Sequence, residues 1–246
     1  MAMTEDRLGK VRGVLFDLDG TLLQVDMNTF IPAYIDKLAA HFADVAERSV
    51  FSQVVRAATF ALIQSDDGGT SNEELFYAAI ESHLGIDGRV FGERLQRFYD
   101  DGMADLEGLI RSLPLARNIL ARCFERGLKV VIATNPVFPR PVVEARLLWG
   151  GLADFPYELV TTFENSRYCK PHPRFFHDVL DYLDLAPEEA VMVGNDTEHD
   201  LAARDAGIAT FLVDTWLVDR LKDGYRADFR GGHLDLFRFV GRLGGK

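Results

Sequence analysis

Cysteine is scarce in this chain: Cys123 and Cys169 are the only two among 246 residues, and they sit in no spacing that serves a metal or a redox couple. That excludes a disulfide-stapled fold and a cysteine-ligated metal centre, and in a reducing compartment both remain thiols. Long apolar runs are missing as well. No stretch approaches the ~18 residues of a membrane span, and Met1–Lys10 is polar and charged, without the apolar stretch of a secretory leader, so the expected location is the cytoplasm. Positive charge is also short. Lys and Arg number 27 against 38 Asp and Glu, a formal net charge of -11, and no basic run offsets it locally. Such a surface repels phosphate backbones and anionic lipid, so neither nucleic acid nor membrane is an expected partner. What is present is ordinary for a globular chain: 48% hydrophobic and 26% charged residues, far from the signature of disorder.

The first element is a short apolar run, Val11 to Phe16, that delivers a carboxylate pair into the turn Asp17-Leu-Asp19-Gly-Thr. From about Asn28 to Asp105 the rhythm changes. Apolar residues recur at helical spacing through Phe30, Tyr34, Leu38 and Phe42, then Phe51, Val55, Ala58 and Leu62, then Leu75, Ala78 and Ala79. Ser71 with Glu74 three residues on has the form of a capping box opening one of these helices. The aromatics Phe30, Tyr34, Phe42, Phe51, Phe60, Phe76, Tyr77, Phe91, Phe98 and Tyr99 are expected to be mostly the core of this helical segment.

After Pro114 helices and strands alternate. Strands are expected at Lys129–Ala133, Glu158–Thr161, Ala190–Val193 and Ala209–Val213, with helices up to Glu125, at Val142–Leu148, at Pro173–Leu183 and at Glu198–Ala206. Alternation of this kind implies parallel pairing, and right-handed crossovers give an α/β, doubly wound parallel sheet of Rossmann-like form. The tail carries a short strand near Ala227–Phe229 and a helix near Leu234–Arg242. The division that follows is an α/β core of residues 1–22 and 106–246, interrupted after its first strand by an all-helical cap, 23–105, too long for an ordinary loop.

In open α/β sheets ligands bind beyond the carboxyl ends of the strands, so residues that end separate strands converge. Here the first strand closes on Asp17 and Asp19, the second on Thr134 and Asn135, and the fourth on Gly194, Asn195 and Asp196, with Asp200 four residues later; Lys170 precedes Pro171 at the mouth of the helix after the third strand. Carboxylates with one threonine, one lysine and no histidine suit a hard cation with oxygen ligands, and Mg²⁺ in turn suits a phosphate substrate.

These four segments, in this order, resemble the motifs of the haloacid dehalogenase (HAD) superfamily, in the form with a helical cap inserted after the first strand. Asp17-Leu-Asp19-Gly20-Thr21 is similar to the first motif, Thr134 after Val130-Val131-Ile132-Ala133 to the second, Lys170-Pro171 to the third, and Gly194-Asn195-Asp196 through Asp200 to the fourth; the likeness spans roughly residues 11 to 214. Asn195 is a departure, because many relatives place the aspartate directly after glycine. The resemblance implies that Asp17 attacks phosphorus to form an aspartyl phosphate, and that Asp19 acts as acid and then base. It implies that Asp17, the Asp19 carbonyl and Asp196 hold Mg²⁺, that Asp200 supports the site, and that Thr134, backbone amides near Leu18 and Asn135, and Lys170 hold phosphoryl charge. The implied activity is a Mg²⁺-dependent phosphatase, a phosphoric monoester hydrolase acting on a small phosphorylated metabolite. A sugar phosphomutase with the same aspartyl phosphate is the alternative. Haloacid dehalogenation needs neither Mg²⁺ nor Asp19, and a non-catalytic binding protein would not be expected to keep every reactive side chain.

Beside these, Glu198 is expected to serve a helix start, Glu164 to Arg167 to form a polar surface loop, His172 and His177 to lie at a helix start and at the surface, and Cys169 to fill space.

Overall fold

The computed structural model describes residues 8–222 and 224–244; the first seven residues of the charged opening segment lie outside it. Alternate residues of the central strands go to opposite faces. In β1 (Gly13–Phe16), Val14 and Phe16 join one apolar cluster and Leu15 another. β4 (Lys129–Ile132) separates Val130 and Ile132 from Val131 in the same way, and β6 (Ala190–Gly194) separates Val191 and Val193 from Met192. Side chains alternate with period two, so a strand apolar on both faces needs cover on both. One face receives α7 (Pro173–Leu183) and the 3₁₀ segment Leu201–Ala206, the other α5 (Ala116–Glu125) and α8 (His233–Val240).

The six strands run in the order β5 (Leu159–Val160), β4, β1, β6, β7 (Ala209–Val213), β8 (Phe229–Gly231), with every pairing parallel. From β1 the chain passes to β4 and β5 on one side, then returns to β6 and β7 on the other. The winding therefore reverses at β1, and the carboxyl ends of β1, β4 and β6 border the crevice where such sheets bind ligands. The α/β, doubly wound reading with an all-helical insert holds.

The insert leaves and rejoins the core through a small antiparallel ribbon, β2 (Leu23–Gln24) against β3 (Arg111–Ser112). Between them lie α1 (Met27–Ala40), α2 (Arg48–Gln64), α3 (Asn72–Leu84), α4 (Gly88–Asp101) and the 3₁₀ segment Met103–Leu109. Stacked and tilted rings fill it: Phe42 lies 4.5 Å from Phe51 and 4.9 Å from Phe91. Phe60 departs from the expected stripe, being 64% exposed. The capping box of Ser71 and Glu74 opens α3, and that same end is tied to the core, with Asn72 N donating to Ser166 O (2.8 Å) and Glu73 N to Phe163 O (2.9 Å). Among the described residues no helix is long and apolar enough to cross a membrane.

Two elements differ from expectation for local reasons. Regular helix was expected over Glu198–Ala206, yet only Leu201–Ala206 winds, as 3₁₀. The Asp196 side chain accepts the amides of Glu198 and His199, and Asp200 Oδ2 accepts the amide of Asp196, so side chains take the bonds a helix would use. The tail strand is Phe229–Gly231, later than Ala227–Phe229, because Asp228 spends its carboxylate on Thr210 N and Oγ and pairing begins after it.

Candidate active site

β1 ends in a turn in which Gly20 takes φ +84°, a left-handed conformation glycine adopts without strain, and a Cβ there would lie 2.2 Å from Asn195 Nδ2. This turn carries Asp17 and Asp19 past the sheet edge. Asp17 is 8% exposed and Lys170 1%. Lys170 Nζ donates to Asp17 Oδ1 (2.9 Å) and to Asp200 Oδ1 (2.6 Å), so one buried ammonium joins residues contributed by three separate strand ends and loops. Gly194 makes room for this: a Cβ there would lie 2.1 Å from Asp200 Oδ2.

Burial pushes the Asp17 carboxyl up to about 7 against the pull of Lys170, with Asp200 and Asp19 adding to the rise. Burial alone would lower the Lys170 ammonium, but Asp17 and Asp200 outweigh it and hold it above its usual range. The cleft is thus rich in carboxylate and short of cation.

Thr134, at the end of β4, is fixed through its carbonyl, which accepts Thr161 Oγ at 2.6 Å. The Asn135 side chain is spent on Lys170: its Oδ1 accepts the Lys170 amide (3.1 Å) and its Nδ2 donates to the Lys170 carbonyl (3.2 Å). It positions the lysine's backbone, so the Asn135 side chain, expected near a phosphate, is committed within the protein. Asn195, the departure in the fourth motif, accepts Thr21 Oγ (3.3 Å) and donates to Trp216 O (2.6 Å), binding the first turn to the loop after β7. Asp196 still reaches the cleft. Its burial raises the carboxyl, yet the amides of His199 and Glu198 and the side chains of His199 and Arg220 bring it below the usual range.

Asp17, Asp19, Thr134, Asn135, Lys170, Asp196 and Asp200 all line one cleft of about 640 Å³, roofed by residues of α1 and α2. Sequence reasoning missed three more. His199 and Arg220 line the same cleft, and Arg220 Nε donates to Asp196 Oδ2 at 2.6 Å. Arg146 is fully buried beneath it on α6 (Arg140–Trp149), pairs with Asp19 Oδ2, and lies 4.7 Å from the Phe138 ring and 5.7 Å from the Phe30 ring. A signal for Arg146 existed: it falls at helical spacing in the buried stripe Val142, Val143, Leu147.

Among the described residues no group of three or more His, Cys, Asp or Glu side chains is placed to hold a metal ion unaided. Asp17, Asp19 and Asp196 line the cleft and offer hard oxygen donors, of which Asp196 Oδ2 is paired with Arg220, and Mg²⁺ is commonly held by one or two carboxylates with water completing the shell. A divalent cation also fits the charge, since Asp17, Asp19, Asp26, Asp196 and Asp200 line the cleft against Lys170 and Arg220.

The outlying residues behave structurally. Glu164 accepts the Arg140 amide at the start of α6, His172 caps α7, and His177 is exposed. Cys169 is fully buried, and burial pushes its thiol up to about 12.

Comparison with known proteins agrees with this arrangement. The chain is 28% identical to a pyrophosphatase PpaX of Bacillus cereus over 223 residues, 89% of this chain and 91% of that protein. Its fold is similar to that of a HAD phosphatase from Thermococcus onnurineus, with TM-score 0.58 and 22% identity over 95% of this chain and 99% of that one. It is similar also to that of the L-2-haloacid dehalogenase from Xanthobacter autotrophicus, with TM-score 0.54 and 19% identity over 94% of this chain and 98% of that one. Residues 11–207 match the family described as haloacid dehalogenase-like hydrolase, and with its motifs brought to one switch-point crevice the chain is a hydrolase of that family.

Proposed function

We propose that this hydrolase is a Mg²⁺-dependent phosphatase that cleaves a small phosphorylated metabolite through an aspartyl phosphate on Asp17. One observation carries the reading: Lys170 clamps Asp17 and Asp200 at the bottom of a cleft that Thr134, Asp19 and Asp196 also face. Asp17 has one oxygen held by Lys170 and the other 3.5 Å from Thr21 Oγ, which orients the carboxylate for in-line attack. Asp19, two residues on, gives a proton to the leaving oxygen and later takes one from the attacking water. Thr134 Oγ and turn amides hold the phosphoryl oxygens while Lys170 offsets their charge. Mg²⁺, held by Asp17, Asp196 and the Asp19 carbonyl, would supply the remaining positive charge at the phosphoryl group.

The acidic surface fits a small soluble substrate and disfavours nucleic acid, in keeping with a cytoplasmic setting. The relative named as a pyrophosphatase and the neighbour titled a phosphatase support the reaction class. Helices α1 to α4 serve as the cap that excludes bulk water.

Chelation is the direct test. With a generic aryl phosphate, excess EDTA should remove at least about 10²-fold of the rate, the order lost with one electrostatic partner, and Mg²⁺ should restore it. Phosphate release indifferent to EDTA would sink the proposal, and chloride release from a 2-haloacid under the same conditions would point to dehalogenation instead.

A further inference from the structure

Beside the reaction cleft lies a second cavity of about 230 Å³, walled by α1, α2, α3 and α4 and by the core residues Val137, Phe138, Pro139 and Phe163. The two spaces share a partition: Ile31, Thr59, Ile63, Val137 and Phe138 line both. The chamber's deeper wall is formed by aliphatic and ring side chains such as Leu38, Val55, Phe76, Phe91 and Leu95. No carboxylate lines it; its polar lining groups are the Tyr34 and Thr59 hydroxyls and Arg56, which with Phe60 stands exposed at its outer side. The Thr59 hydroxyl is already committed to Val55 O at 2.8 Å. A water needs two to four polar partners to be held, and an apolar cavity of only about 150 Å³ stays dry and accepts a benzene-sized molecule.

We infer that this chamber is the leaving-group site, and that the substrate is a phosphate monoester whose alcohol carries an apolar ring or a chain of about six carbons. The inference rests on the phosphatase reading and adds the substrate class to it. With phosphorus at Asp17, the ester oxygen points toward Asp19 and the cap, and the shared residues Ile31, Thr59 and Ile63 lead from there into the chamber. An anionic leaving group, such as a second phosphate or a short carboxylate, would lose its water there and find no cation in the inner wall to replace it, at a cost of about tenfold or more in rate. An apolar group gains from the same burial. The chain should therefore differ in preference from a relative named for pyrophosphate, although the reaction centre is shared.

The test is kcat/KM for straight-chain alkyl phosphates from methyl to octyl, with pyrophosphate alongside, all with saturating Mg²⁺. The expected result is a rise of about fourfold per methylene once the chain passes the partition, on the order of 10²-fold between ethyl and hexyl phosphate, levelling when the chamber is full, with pyrophosphate well below hexyl phosphate. Val55→Phe, which fills the deep end, should bring hexyl phosphate back to within about threefold of ethyl phosphate; if that variant does not fold, the wild-type series decides alone. Hydrolysis of the short esters with a flat or falling dependence on chain length overturns this inference and leaves the phosphatase reading standing. No turnover of any phosphate compound overturns both.

Discussion

Asp17→Asn should leave no measurable phosphate release, a loss of about 10⁴-fold or more with an aryl phosphate and saturating Mg²⁺, because an amide is a poor nucleophile at the position that Lys170 and Thr21 orient. The fold should survive. Asp17 is a carboxyl that burial already discourages from ionising, and a neutral side chain of the same shape relieves that penalty while Lys170 keeps Asp200 as partner. The urea midpoint is therefore expected to stay the same or rise, which separates lost chemistry from lost structure. Residual activity above one part in about 10² would remove Asp17 from its role.

Arg146→Met should have the second largest effect, and in stability before catalysis. Arg146 is 0% exposed, and it is the ion-pair partner of an Asp19 side chain only 12% exposed. Removing one member of a buried pair leaves the other uncompensated, typically at a cost of about 3–5 kcal/mol, whereas removing both can be close to neutral. Urea unfolding of Arg146→Met, Asp19→Asn and the double variant forms the cycle that isolates the coupling. A single-variant loss below about 1 kcal/mol, with no coupling, would show that the pair contributes nothing to the folded state. If the pair holds, Arg146 is also what keeps Asp19 in one position for the proton transfer proposed for it, and kcat for any folded Arg146 variant should fall further than KM rises.

The parts of this molecule legible in its sequence are those in which neighbouring residues carry the information. The strand ending on Asp17 is an apolar run followed by a Gly-containing turn, and the alternation after Pro114 states the parallel sheet by rhythm alone. The roles of Thr134 and Lys170 came from a family likeness, since each alone reads as an ordinary strand-end threonine or a solvated lysine. Arg220 could not be read in advance: it sits in an irregular loop after β7, and only tertiary folding lays it beside Asp196. His199 falls in a segment whose pattern predicts regular helix, whereas the Asp196 and Asp200 side chains bend the chain and turn it into the cleft. Asn195 was read as a departure from pattern, and its two hydrogen bonds show it as a brace between loops.

The cap meets the core at places far apart in sequence: the ribbon pairing Leu23 with Ser112, the start of α3, where Asn72 and Glu73 bond to Ser166 and Phe163, and α1, whose Phe30 and Tyr34 rings pack edge-on against Phe138. Because Phe138 lies against Phe30 and Tyr34 and also lines both the cleft and the apolar chamber, any shift of α1 that admits substrate would expose Asp17 and open the chamber in one movement. Amide exchange gives the check: the amides of Asn72 and Glu73 should be among the slowest in the insert, and fast exchange there would show that α3 moves with α1.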